Sequence, residues 1–539
     1  QMAVTNIARK GDTDIFPFPV ERYLFQDKKE EVLSLLVDMD REYGQSANPP
    51  VDCIKTCIPV GYTGFRWATQ IDPLWNAFLL GNVLKIASQI ERKRIPVEEN
   101  AVFSYRMNYD EDTGTLFNRD INWKAFYRHA GEVAAEKAKD KKFRILTYDI
   151  SDFYNRIYHE RLRDVLHAEA DADGHTVNRI MEIVSRIAGG NSPYGLPVGG
   201  NASRILAEAL LIRADNFMRN SDINFCRFVD DYVVFAESAE KAYGILNQCA
   251  GYFMNSMGLS LQKNKTTLMT AAEFSTHIKS VFDEIESEKD PARASILRLK
   301  LHVDKYSAMA DEDLRDLREK IDGSALVRLL KSECRKTRIN QMFGKQLVGT
   351  LPLLEEDDLS EAFEVLSVNF EKLFPVFPVI MHKAYHNLAK CDEATVSLFT
   401  GRVAELFENN SYIIQSDNNA SYAVRVLSLG ENRKAAEVLA HIYQRQSSGS
   451  DTSTHLLKSN IIYAMANLKN LPWLEERLRE FPTLSSWERR ALAVAAPMME
   501  EKGASWRKVF RDYCTPSENL AGDWAQEQIS VNPNWKLPL

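Results

Sequence analysis

Cysteine is scarce and has no motif: there are seven in 539 residues, none in a Cys-x-x-Cys pair. That leaves no zinc knuckle and no disulfide framework to read. Cys53 and Cys57 stand four apart with no histidines nearby, and read as buried thiols. No apolar run reaches the roughly 18 residues of a membrane span and no signal peptide is evident, so a cytoplasmic protein with no membrane partner is expected. An overall positive charge is missing too, since the formal net charge is −8. Nucleic-acid binding is not excluded by this, because it depends on where basic residues cluster. From Leu351 onward there is neither a strand pattern nor a strict repeat.

What is present is the composition of a soluble globular protein, 45% hydrophobic and 26% charged, in a chain long enough for two to four domains. The densest chemical signal is NFCRFVDDYVVF, which ends at Phe235. Arg227–Val229 reads as the end of one strand and Tyr232–Phe235 as the start of the next, which puts Asp230 and Asp231 at a hairpin tip. Two charges between buried strands need a cation to neutralise them, and a divalent metal fits. An ordinary Asp-Asp turn is the competing reading.

Upstream, Phe143–Tyr154 (FRILTYDISDFY) is a short strand that delivers Asp149. One carboxylate from a strand and two from a hairpin suit Mg²⁺, a hard ion that takes carboxylate and phosphate oxygens. A pair of such ions serves an in-line phosphoryl displacement. Between the two acidic elements, Asn191–Leu211 (NSPYGLPVGGNASRILAEALL) is a Gly/Pro-rich loop entering a helix. It allows close backbone approach to a nucleotide or nucleic acid.

The order strand-Asp149, GLPVGGNASRILAE, FVDD and then GLSLQKNKT at Gly258–Thr266 resembles the palm of reverse transcriptases over roughly residues 100–270. Within that family it is most similar to the prokaryotic abortive-infection and defence-associated enzymes of the AbiK type. The resemblance implies an α+β fold: a right hand of fingers, palm and thumb, followed by an all-α HEAT-like helical repeat domain. It implies metal ligation by Asp149 and Asp230 with Asp231 as third acid, Mg²⁺ as cofactor (Mn²⁺ in its place), and Lys265 beside the pyrophosphate. It also implies a nucleotide site of Arg106, Ile150, Ser151, Asp152, Phe153, Tyr154 and Gly199, with the Tyr154 ring beneath the sugar. A core position for Tyr154 is the alternative. Phe228 stands where many relatives have tyrosine, and Val198 where many templated enzymes have glutamine. The second departure puts the usual template contacts of that loop in doubt.

The remaining chain divides as 1–100 (arm and helical fingers part), 101–270 (fingers and palm), 271–349 (helical, thumb-like) and 350–539 (helical repeat). In Thr13–Arg22, Pro17 and Pro19 argue against regular structure, giving an arm or lid on another domain. Helices are expected over about 28–43 and 73–92. Between Arg119 and Arg144 eight Lys/Arg face four Asp/Glu, which reads equally as a phosphate-facing stripe or a solvated helix face. Arg328, Lys331, Arg335 and Arg338 recur at helical spacing and predict one basic face for a phosphate backbone, against the plainer reading of a solvated face. The Ser/Gly-rich Gln446–Thr454 loop is the expected protease-sensitive point.

The resemblance implies a metal-dependent DNA polymerase of reverse-transcriptase type acting in bacterial antiphage defence. Its partners would be dNTPs, a single-stranded DNA product, a noncoding RNA template where synthesis is templated, and further copies of the chain in a homo-oligomer. A nucleic-acid-binding scaffold with a decayed site is the rival, and the retained acids argue against it. Relatives of the AbiK type can prime on a tyrosine of their own chain. Of the 20 tyrosines, Tyr23 and Tyr43 rank first by mobile context, ahead of Tyr412 and Tyr443.

Overall fold

The structure is a computed structural model describing residues 1–11, 13, 16, 18–43, 51–168, 173–189, 192–283, 290, 292–294, 296, 322–430, 432–445 and 454–539. Among them are eight strands: β1 (Cys53–Val60), β2 (Gly64–Ile71), β3 (Met107–Asp110), β4 (Thr115–Phe117), β5 (Arg144–Asp149), β6 (Asn224–Phe228), β7 (Asp231–Ala236) and β8 (Thr267–Thr270). The chain forms two compact units, one of residues 1–14, 44–53 and 71–287, the other of 15–43, 54–70 and 288–539. No helix among the described residues is long and apolar enough to cross a membrane.

The first unit is built on a four-stranded antiparallel sheet in the order β6-β7-β5-β8. Because β5 and β7 are apolar on both faces, both faces are covered. Ile145, Val233 and Phe235 join a core with Phe126, Ala130 and Ala134 of helix Trp123–Lys137 and with Phe274 and Ile278 of helix Ala271–Asp283. Small residues let these two helices close up: a Cβ on Gly131 would lie 3.0 Å from the Ile278 side chain. On the other face Tyr148 and Tyr232 stack at 4.9 Å, with Phe253 edge-on to both. The predicted helix over 73–92 is Pro73–Lys93; Asp72 caps it by accepting from the Leu74 and Trp75 N–H groups at 3.0 and 3.3 Å.

In the second unit helices follow one another from Gly323 to Val531. Helices Phe377–Asn387, Asp417–Leu427, Thr454–Asn467, Ser486–Ala495 and Pro516–Val531 pack each against the next. The segment around Phe16–Lys28 is docked along this series. Phe16 lies edge-on to Tyr422 at 4.6 Å and 4.1 Å from the Arg425 guanidinium, and Phe18 meets Trp487 at 5.2 Å. Glu21 pairs with Arg490 at 3.4 Å, and Asp27 accepts from the Trp524 indole N–H at 2.8 Å.

Two expectations change here. Pro19 opens helix Pro19–Asp27 instead of breaking structure, because a proline at the first helical position gives up an N–H that has no partner anyway. Pro17 lies outside the described residues, as do most of 284–321 and 446–453 of the expected protease-sensitive loop. The basic face is interrupted: its helix is Gly323–Cys334, and the buried Glu333 carboxylate ends it by pairing with Lys336 and accepting from the Asn340 N–H at 2.5 Å. Arg338 therefore lies past the helix end.

Removing the Phe16 ring takes out a fully buried aromatic and its contact with Arg425. Phe16→Ala should cost about 3 kcal/mol or more of local stability. Hydrogen exchange over 18–27 and 417–427 is expected to speed up together, while exchange in the first unit stays unchanged.

Candidate active site

The acids come together because β5 and β7 run antiparallel in a register that pairs Asp149 with Asp231 and Tyr148 with Tyr232. Asp230 lies in the tight turn between β6 and β7, where Val229 has φ 56. A β-branched residue in that left-handed region is strained by about 1–3 kcal/mol and persists only where its surroundings enforce it. Two contacts do so: the Arg227 guanidinium donates to the Val229 carbonyl at 3.3 Å, and the Ile150 N–H donates to the Asp230 carbonyl at 3.3 Å.

Arg227 is fully buried. It forks onto Asp215 at 2.6 and 2.7 Å and reaches Glu208 at 2.9 Å. Glu208 also takes Arg94 at 2.6 Å and the Ser104 hydroxyl at 2.5 Å, and Glu91 links Arg94 (3.0 Å) to Arg106 (2.6 Å). Three arginines and three carboxylates thus form one continuous chain, buried except at the partly exposed Glu91. Against the upward push of burial, Arg227 and Arg94 hold Glu208 below its ordinary value. Removing one member of such a pair costs about 3–5 kcal/mol.

At the tip the balance of charge is reversed. Burial pushes Asp230 up to about 7, helped by the charges of Asp149 and Asp231. Burial and the Asp149 charge push Asp231 to about 6, with Lys265 working in the opposite direction. Lys265 bonds the Asp149 carboxylate, and that hydrogen bond raises its own pKa. One cation among three clustered acids leaves the site short of positive charge. The donor set is all carboxylate oxygen, the chemistry that Mg²⁺ or Mn²⁺ prefers. Among the described residues no three His, Cys, Asp or Glu groups form a ready-made cage. Such an ion would therefore draw further ligands from substrate phosphate and water.

The other predicted site residues are distributed as follows. Ile150 and Phe153 are core, at 1% and 3% exposure. The Ser151 N–H donates to the Ser260 carbonyl at 2.8 Å and its hydroxyl to Gln262 at 3.1 Å, while the Gln262 N–H donates to the Asp149 carbonyl at 2.7 Å. GLSLQKNKT is thereby tied to the acid strand. Asp152 is exposed with φ 47, and Gly199 turns at φ 118 just before helix Asn201–Asn220. Of the two adjacent aromatics, Phe153 turns inward and Tyr154 is half-buried. Burial first, then Tyr105, raises the Tyr154 phenol, with Asp230 adding to the shift.

Arg106 does not face a nucleotide. It is 4% exposed, paired with Glu91 and donating to the Ile95 carbonyl at 2.8 Å, because the backbone of Phe103–Arg106 turns its polar groups into the buried chain. The Arg204 guanidinium lies 5.3 Å over the Tyr105 ring, and both act on the Tyr154 phenol, Tyr105 raising its pKa and Arg204 opposing the rise. Arg204 stands in the Gly/Pro-rich loop-helix stretch read from the sequence, which does not single it out.

In the second unit Arg328 pairs with Asp290 at 2.9 Å and Lys331 with Glu361, so two of the four basic residues are neutralised; Arg335 and Arg338 are exposed. The tyrosines ranked for mobility are held more firmly than expected. Tyr23 is 45% exposed but sits on the docked helix, Tyr43 ends helix Lys29–Glu42, and Tyr443 is buried on Glu488 at 2.8 Å. Tyr412 is 54% exposed.

Residues 87–305, about two fifths of the chain, match the family model for reverse transcriptase (RNA-dependent DNA polymerase). Comparison with solved structures returns the telomerase of Candida albicans in complex with a fragment of telomeric RNA. It has 11% identity and a TM-score of 0.30, covering 68% of this chain and 66% of that one. Apo telomerase from Candida tropicalis has 9% identity and a TM-score of 0.31, covering 80% and 74%. This chain thus spans just under two thirds of the first of them. Comparison with curated proteins finds no match.

A folded acid with a raised pKa keeps its proton to higher pH than the unfolded chain does. Stability therefore falls as pH rises from about 4 to about 7. Asp230→Asn should raise the unfolding temperature of the metal-free protein at pH 8 and change it little at pH 5. An equal change at both values would contradict the electrostatic reading.

Proposed function

We propose that the protein is a metal-dependent DNA polymerase of reverse-transcriptase type that joins deoxynucleotides at the Asp149, Asp230 and Asp231 cluster. The observation that carries this reading is the convergence of three carboxylates, two with raised pKa, within a matched reverse transcriptase domain. Asp149 and Asp230 would hold the metal, with Asp231 as third acid. Bound divalent cations supply charge stabilisation of the transferring phosphoryl group and activation of a hydroxyl nucleophile. The chain's own contribution is positional. The register and the turn at Val229 fix the acids, Lys265 would offer a cation for pyrophosphate, and the Tyr154 ring would lie beneath the sugar and collide with a 2′-hydroxyl.

The proposed organisation is fingers and palm to about residue 270, a thumb-like region to 349 and a HEAT-like repeat thereafter. The biological role is antiphage defence of the abortive-infection kind, with synthesis templated by RNA or primed on the protein itself. The test is incubation of purified protein with Mg²⁺ and each labelled dNTP, followed by denaturation. Label that stays with protein until proteolysis marks protein priming; label that separates marks a nucleic-acid primer.

Asp149→Ala and Asp230→Ala should each abolish incorporation without unfolding the chain. Loss of a metal ligand implies several kcal/mol of transition-state stabilisation, so a variant that keeps more than about a tenth of the rate contradicts the assignment. Tyr154→Ala should admit ribonucleotides in single-nucleotide assays. Unchanged sugar selectivity would make Tyr154 a core residue.

A further inference from the structure

We infer that the β1–β2 hairpin is a stacking platform for single-stranded nucleic acid. The choice of nucleic acid as occupant rests on the polymerase reading; the platform itself rests on the hairpin. Between Asp52 and Asp72 the chain holds Lys55 and Arg66 and no acidic residue, in a protein of net charge −8. Strand alternation sends Ile54, Thr56, Ala68 and Gln70 inward, each 5% exposed or less. The opposite face carries Lys55 together with Phe65 and Trp67, which are 69% and 61% exposed. These two rings are two residues apart on one strand, so they share a face. Exposed rings with Lys55 on their face and Arg66 between them on the other, in a hairpin with no carboxylate, have the chemistry that takes bases on the aromatics and phosphates on the basic side chains.

The hairpin is also anchored, so the rings are presented on a fixed support. Gly61 turns at φ 68, and a Cβ on Gly64 would lie 2.7 Å from the Val60 carbonyl oxygen, so the tight turn needs glycine at both positions. Between them, the Tyr62 hydroxyl donates to the Lys372 carbonyl at 2.8 Å and accepts from the Ile339 N–H at 3.1 Å. The Arg338 guanidinium lies 5.6 Å over the Tyr62 ring, which adds a third cation at the tip. The Ser416 hydroxyl donates to the Cys57 carbonyl at 3.1 Å, fixing β1 as well. The hairpin is thus held by its own unit, and Phe65 and Trp67 are left to solvent.

The test uses the full chain and a 5′-fluorescein single strand of about 12 nucleotides, as DNA and as RNA, beside an abasic strand of equal length, read by fluorescence anisotropy. The Phe65→Ala, Trp67→Ala double variant should bind the base-bearing strand about tenfold or more weakly. It should also lose the wild-type preference for bases over the abasic strand, with an unchanged unfolding temperature; Trp67→Phe should retain most binding. Unchanged affinity, or an equal loss on both strands, overturns the platform. So does a double variant that alters self-association in sedimentation while binding the strand normally, since the face would then be a contact between copies. Incorporation of dNTPs is measured alongside. Hairpin-dependent binding without incorporation overturns the polymerase reading alone, and full incorporation with normal strand binding by the double variant overturns the platform alone.

Discussion

The contact between Arg227 and Asp215, buried and bidentate, is the constraint on which the acid-bearing end of the first unit depends. A guanidinium fully removed from water is tolerable only with its donors matched, and here they are shared among Asp215, Glu208 and the Val229 carbonyl. Arg227 is therefore tied to helix Asn201–Asn220 on one side and to the turn that carries Asp230 on the other. Through Glu208 and Arg94 the same chain of charges reaches the end of helix Pro73–Lys93. Strain at Val229 is the local cost of placing Asp230, and the buried chain offsets it.

The fold thus neutralises its charges one layer below the acids and leaves them unbalanced at the surface of the site. Three carboxylates meet one lysine, and two of them are pushed toward neutral pH. Such an arrangement lowers stability in the metal-free state and favours whatever brings positive charge. Groups whose environment shifts them this far mark functional positions more often than structural ones.

The palm was legible in the sequence because its motifs fix backbone geometry locally. Short, nearly continuous apolar runs give β5 and β7, and Asp149 ends one as Asp231 begins the other. Lys265 of GLSLQKNKT bonds Asp149, a partner that its place after the hairpin does not name. Arg106 was not legible: whether an arginine faces a nucleotide or a partly buried glutamate depends on Glu91, fifteen residues away and on another element. The partners of Arg227 were hidden for the same reason, since Glu208 and Asp215 read as ordinary helix residues until the helix is laid against β6. The arm was half legible. Its prolines signalled a departure from regular structure, but its apolar residues Phe16, Phe18 and Val20 carried the better clue, because a solvated arm has no use for them.

The central claim is that this cluster of acids exists to hold divalent cations. The most direct measurement is electron paramagnetic resonance of Mn²⁺ titrated into the full-length protein with a dNTP present, repeated for Asp149→Asn and Asp230→Asn. Tight Mn²⁺ binding by the native chain, lost in both variants while their folding is preserved, is the expected result. Equal Mn²⁺ binding by the native chain and the variants would contradict the account.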